Sequence, residues 1–234
     1  MPFAILRLVI LPLLLSACGV VNYQDLPEGR FDGKLLVMWV GEGSSTSGAG
    51  RFVYVPVPGD ELRLIRGGNG GTLRDIQPEM MYTDGGSIPR PAQLFNGFSP
   101  WGYAPAYMVH DWLFVARHCL TDNHPTPEER RVAAMTFQES AEVIGEAIKS
   151  LIESGKVKAN DVAPRVIAGA VAGPVSYESW VARGACERVD PAHRIAISAG
   201  LPGRRAPVAA IARTLPDGNR VRVQPGQIVA SFDF

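Results

Sequence analysis

His110 and Asp111 open the segment His110-Asp111-Trp112-Leu113-Phe114, and twenty residues earlier ends a tight polar loop, Thr83-Asp84-Gly85-Gly86-Ser87-Ile88-Pro89-Arg90. An imidazole titrates near neutral pH, which suits a general base that activates water. The carboxylate beside it can hold a hard cation, and carbonyls of a glycine-rich loop at Asp84, Gly85 and Gly86 are suitable oxygen partners for calcium. Neighbours on a helix stand about 100° apart, so His110 and Asp111 can face one cleft from adjacent positions. The same residues have a plainer use: capping, pairing with Arg90, or tying helix to loop through hydrogen bonds. Either use requires the loop and the helix to meet.

The elements that must bring them together follow from pattern. Leu35-Leu36-Val37-Met38-Trp39-Val40 and Arg51-Phe52-Val53-Tyr54-Val55 carry strand content, with Leu62-Arg63-Leu64-Ile65 a weaker third. Gly67-Gly68-Asn69-Gly70-Gly71 is a turn, and it lacks the Gly-Lys-Ser/Thr ending of a phosphate loop. Pro105 suits the first turn of a helix over residues 105–117. Thr126, Pro127 and Glu129 form a strong start for a second helix, and Ala134, Phe137, Ala141, Ile144, Ile148 and Leu151 continue it as one buried stripe to Gly155. A third helix is expected over 162–172, interrupted by Gly173-Pro174. Pro216-Asp217-Gly218-Asn219 followed by Val221 and Val223 predicts a terminal hairpin. The fold class expected is α+β: a small N-terminal antiparallel sheet packed on two or three helices, with a β-rich C-terminal tail.

Composition narrows the class without choosing a chemistry. The chain has 234 residues, with 23 Lys+Arg against 23 Asp+Glu. Its net charge of zero argues against a nucleic-acid partner held by counterion release. Hydrophobic residues at 46% support a packed core rather than disorder. Residues 1–17 form an export signal: Arg7 gives a positive start, an apolar run follows, and Ser16-Ala17 supply the small residues before a cut. The run is shorter than the roughly 20 residues of a bilayer span, and Pro12 would break a buried helix there.

Three resemblances add to this. Leu15-Ser16-Ala17-Cys18-Gly19 resembles the bacterial lipobox, which implies acylation of Cys18 and a mature chain tethered to a membrane, facing the periplasm of the outer membrane. Cys119 and Cys186 are then the two remaining thiols, in a compartment that permits a disulfide. The loop of residues 83–90, the spaced Pro105 and His110-Asp111-Trp112-Leu113-Phe114 resemble the signature of domain-of-unknown-function family 1353, found in phages and bacteria, over about residues 31–145. It implies a binding or envelope-associated module with an unknown protein or lipid ligand, in which Thr83, Ser87, Pro89, Arg90 and Trp112 belong to the motif. More distantly, the Asp-Gly loop and the His-Asp helix are similar to secreted bacterial phospholipase A2. That likeness implies His110 as general base, Asp111 as calcium ligand and Asp84-Gly85-Gly86 as the rest of the cradle, for hydrolysis of lipid esters. An aspartate that orients the histidine is expected near the start of the second helix. Ala134 occupies that position on the buried stripe, Gln138 one turn on is the substitute acceptor, and Glu139 points elsewhere.

Other signals are weaker. His118, Cys119 and His124 match no zinc spacing and are expected in a solvated loop. His193 stands alone, as surface residues do. Ser87 lies in no Gly-x-Ser-x-Gly elbow. Trp39, Trp101, Trp112 and Trp180 are core or cleft packing. The organisation expected is a signal over 1–17, a tether over 18–30, the main domain over 31–155 and a C-terminal extension over 156–234.

Overall fold

The computed structural model describes residues 21–42, 50–86, 99–159, 162–202, 212–214, 220–222 and 224–234. Cys18, Ser87, Pro89, Arg90 and the turn at Pro216 lie outside them. The class is α+β, as expected, with helices and antiparallel sheets.

Strands β1 (Arg30–Asp32), β2 (Lys34–Glu42), β3 (Gly50–Tyr54), β4 (Arg63–Ile65), β5 (Asp75–Ile76) and β6 (Met81–Thr83) come first. Six helices follow: α1 (Ala104–Thr121), α2 (Pro127–Arg130), α3 (Phe137–Glu153), α4 (Ala163–Val171), α5 (Pro174–Trp180) and α6 (Pro191–Gly200). The chain closes with β7 (Ala212–Thr214), β8 (Arg220–Arg222) and β9 (Gln227–Asp233). The larger sheet has the order β6-β3-β2-β9, all antiparallel, and a smaller one the order β1-β4-β5. β7 and β8 pair as a hairpin.

β2 explains its own unbroken apolar run. Leu35 and Val37 enter the main core with α1 and α3, whereas Leu36, Met38 and Val40 face a second core containing Val189, just ahead of α6, and Ile197 of α6. A strand buried on both faces needs apolar residues at every position. β9 then pairs with β2, Leu35 opposite Phe232 and Val37 opposite Ala230. β9, from the stretch expected as an extension, therefore joins the N-terminal sheet. The tether is also docked: Lys149 donates to the Leu26 carbonyl at 2.6 Å, and the Gly29 N–H donates to Ser150 Oγ at 3.0 Å. Burial raises the Tyr23 phenol to about 12.

The second helix differs from expectation. Thr126 caps α2 with the full capping box, but α2 ends at Arg130 and a second cap, Thr136, starts α3. The turn between them drives Val132 and Met135 into the core, and Ala134 faces solvent instead of the buried stripe. Phe137, Ala141, Ile144, Ile148 and Leu151 are buried as expected.

α3 also carries buried charge. Arg66, 5% exposed, donates to Glu139 Oε1 at 2.6 Å and to Glu146 Oε2 at 2.9 Å. The second carboxylate is offset by Gly67 N–H on Glu146 and by Thr72 N–H and hydroxyl on Glu139. Gly71, at φ +55°, must be glycine, because a Cβ there would lie 2.1 Å from Glu139 Oε1.

Across the molecule Cys119 and Cys186 form a disulfide with Cα atoms 4.5 Å apart. Arg66→Ala is expected to cost about 3–5 kcal/mol in urea unfolding, because it strands two buried carboxylates. Cys119→Ser with Cys186→Ser is expected to lower stability by up to about 4 kcal/mol, the loop-entropy value for a closed loop of this length, measured the same way.

Candidate functional site

The loop that follows β6 lies against the start of α1. Gly85 turns at φ +88° and its N–H donates to Thr83 Oγ1 at 3.0 Å, while the Gly86 N–H donates to the Pro100 carbonyl at 2.6 Å. Side chains are excluded here: a Cβ on Gly85 would meet the Pro100 oxygen at 2.5 Å, and one on Gly86 the Tyr107 ring at 2.8 Å. Loop and helix thus meet as the spacing required. Pro105 sits in the first turn of α1, as expected.

Between them lies an open cleft of about 450 Å³. Arg51 and Phe52 of β3, Tyr82 and Thr83 of β6, Asp84 of the loop, Trp101, Asp111 of α1 and Glu187 line it. Asp84 and Asp111 are brought to one cavity. His110 is not: its ring is 6% exposed, packs 4.9 Å from Phe114 and forms no part of the lining. The 100° between neighbours separates the pair here, turning the acid to solvent and the imidazole to the core. His110 Nδ1 stands 3.6 Å from Asp111 Oδ1, too far for a strong hydrogen bond, and Nε2 is buried without a partner. Gln138 therefore does not orient the imidazole; its amide nitrogen donates to Glu142 at 2.9 Å. Ala134 is on the surface, and Glu139 is bound to Arg66.

Burial raises the Asp111 carboxyl above the ordinary carboxylate range, although 34% of the side chain still meets solvent. Contact with His110 opposes that rise, and the negative charge of Asp84 adds to it. Arg51 is the cation of the lining, and it is engaged: it donates to Glu187 at 2.7 Å and lies 3.6 Å over the Tyr82 ring. Among the described residues the cleft therefore presents two carboxylates, Asp84 and Asp111, with no arginine or lysine paired to either in the lining; the nearest ionisable partner of Asp111 is His110, 3.6 Å away.

Sequence reasoning missed Arg51, Phe52, Tyr82 and Glu187. Glu187 had no local signal, because its position depends on a strap closed by the disulfide. Asp122 caps that strap by accepting from the N–H groups of Gly184 at 2.8 Å and Cys186 at 3.0 Å, which lowers its pKa. Arg188 clamps it through both carboxylate oxygens of the buried Glu129.

The remaining candidates resolve as structural. Trp112 and Trp180 are core, and Trp101 forms a cleft wall edge-on to Phe52 at 5.8 Å. His118, expected in a solvated loop, is on α1 and donates to the Ser179 carbonyl at 2.6 Å. His193, expected alone, lies 2.7 Å from the Tyr82 hydroxyl. Among the described residues no group of three or more His, Cys, Asp or Glu could hold a metal, and no helix is long and apolar enough to cross a membrane. Comparison with family models, with curated proteins and with solved structures returns no match.

A raised folded-state pKa on an acid means that ionised Asp111 opposes folding at every pH above that pKa and is without cost below the unfolded value. Asp111→Asn is therefore expected to melt above the wild type at pH 7, the two curves converging below about pH 4. Thermal melts across that range check the sign.

Proposed function

We propose that this chain is an envelope lipoprotein, tethered through acylated Cys18 at the periplasmic face of the outer membrane, whose folded part is a binding module of the kind implied by its resemblance to family 1353. The cleft receives a cationic group. The observation that carries this reading is the pair of carboxylates, Asp84 and Asp111, on one open cavity whose lining arginine is engaged elsewhere. Holding an acid at a cost to folding is a mark of functional sites.

Calcium is the simplest such cation. Asp84 and Asp111 would supply carboxylates and the loop Asp84-Gly85-Gly86 its carbonyls, with water completing the six to eight oxygens calcium takes. Aromatic rings of Phe52, Tyr82 and Trp101 on the same cleft suit an organic ammonium equally well. Both would be held by the same two acids.

The alternative, a calcium-assisted lipid-ester hydrolase with His110 as general base, has less support. The imidazole is turned away from the cleft and lacks an orienting acceptor, a loss that costs several orders of magnitude in triad chemistry.

Calcium at a hundredfold its Kd adds about 2.7 kcal/mol, or about 5–10 °C in Tm for a chain of this size. That rise is expected in the wild type and absent in Asp111→Asn. An equal rise in both, with calcium and with tetramethylammonium, overturns the assignment of the cleft. Ester hydrolysis by the wild type that disappears in His110→Ala at unchanged Tm would instead establish the enzyme.

A further inference from the structure

We infer that the outward faces of α4 and α5 rest on the leaflet that holds the lipid anchor. This rests on the acylation of Cys18 proposed above, and adds to it an orientation for the folded body.

The first observation is where the tether leaves the fold. Tyr23 begins a short turn that packs against α3 and α4. Arg165 of α4 is close enough to bias the Tyr23 phenol, and Leu26 fills the space that Gly145 leaves open on α3. Cys18 precedes Tyr23 by five residues, which at full extension reach about 18 Å. An acyl chain on so short a leash holds whatever surface surrounds Tyr23 at the headgroup level.

The second observation is what that surface carries. Among the described residues, nine large hydrophobic side chains are exposed, and five of them fall between 162 and 181. Val162 (60% exposed) and Val166 (49%) are one turn apart at α4; Val175 (80%), Tyr177 (45%) and Val181 (44%) follow on and just after α5. Scattered singly these would need no explanation, but here they fall on or at the ends of two consecutive helices in contact with each other, the first of which packs against the turn at Tyr23. Neither helix is amphipathic in the sense of a fully polar outer face, and each shows valines to solvent.

The third observation is charge. Residues 156–183 contain Lys156, Lys158, Arg165 and Arg183 against Asp161 and Glu178, an excess of two positive charges in a chain whose total is zero. Lys156 is turned to the C-terminal strand, donating to the Asp233 carbonyl at 2.8 Å, and Arg165, next to Val166, is the basic side chain that suits an anionic phospholipid surface there. The several acyl chains of a lipobox cysteine hold the chain firmly by themselves, so a contact of this kind orients the body rather than securing it.

The test uses the full-length acylated protein in vesicles of phosphatidylethanolamine and phosphatidylglycerol. With Cys119 and Cys186 bonded and Cys18 acylated, a cysteine placed by Val166→Cys, Val175→Cys or, as control on the β2 side, Asp60→Cys is the sole reactive thiol. All three positions are exposed, and an unchanged Tm confirms each fold. A water-soluble maleimide is expected to react at least tenfold more slowly at 166 and 175 than at 60. Equal rates at all three positions, in protein that floats with the vesicles and carries acyl mass on Cys18, overturn the docking face and leave the anchor intact. Missing acyl mass overturns the anchor and the face together. Slowing that vanishes at one protein per vesicle assigns the face to a second copy and overturns the proposal too.

Discussion

One guanidinium between two carboxylates, with almost no water, is the constraint around which the rest is arranged. Burying Arg66 with Glu139 and Glu146 is tolerable only if every remaining lone pair is met, since the desolvation of three charges exceeds what a bare ion pair returns. The glycine-rich turn after β4 meets them with Gly67 N–H, Thr72 N–H and the Thr72 hydroxyl. That requirement fixes α3 against the small sheet. α1 packs on α3, and the cleft is what remains between α1 and the larger sheet. The position of Asp111 is thus a distant consequence of a charge cluster it never touches.

This cluster also shows why sequence pattern stops where it does. Charged residues are read as solvated by default, and nothing in Arg66, Glu139 or Glu146 marks them as interior. The glycines of residues 67–71 read correctly as a turn, yet their reason lies in a carboxylate on a helix more than sixty residues away. Apolar periodicity located α3, Pro105 the start of α1, and glycine the stop at Gly155; the apolar run of β2 was legible as a strand, but not its burial on both faces. Periodicity failed at residues 131–136, because Val132 and Met135 keep the stripe looking continuous while the chain turns. A second threonine cap at Thr136 was the available signal. The helix α6 was signalled too, by Asp190 accepting from Ala192 N–H just ahead of Pro191.

The candidate site was legible in its acids and not in its base. Loop spacing was enough to bring Asp84 and Asp111 to one cavity, since two short glycine contacts at Gly85 and Gly86 leave the chain little choice. Adjacent helical positions, however, point in directions that differ by about 100°. On a helix with solvent on one narrow face only, that angle sends one neighbour outward and the other inward. His110 with Phe114, one turn on, belongs to the packed side; Asp111 belongs to the cleft. A His-Asp dipeptide alone therefore cannot specify a shared catalytic cavity, and a hydrolase needs a third group whose direction is known.

The cysteines tie the cleft to the compartment. Glu187, which engages Arg51 and so keeps that cation from the two aspartates, is the residue directly after Cys186. Its strap has a disulfide to α1, an aspartate cap at Asp122 and a bidentate arginine clamp on Glu129, but few apolar contacts of its own. The Asp122 cap is exposed and its net worth is small, whereas the Arg188 clamp ends on a buried carboxylate and holds more firmly. Glu187 is held within reach of Arg51 from both sides, by the Cys119–Cys186 link before it and the Arg188 clamp after it. A disulfide is at home where thiols are oxidised, which agrees with the exported lipoprotein proposed above. The lipobox resemblance at Cys18 and the pairing of Cys119 with Cys186 are separate features of the chain. They support the same destination, one through a motif and the other through the geometry that shapes the cleft.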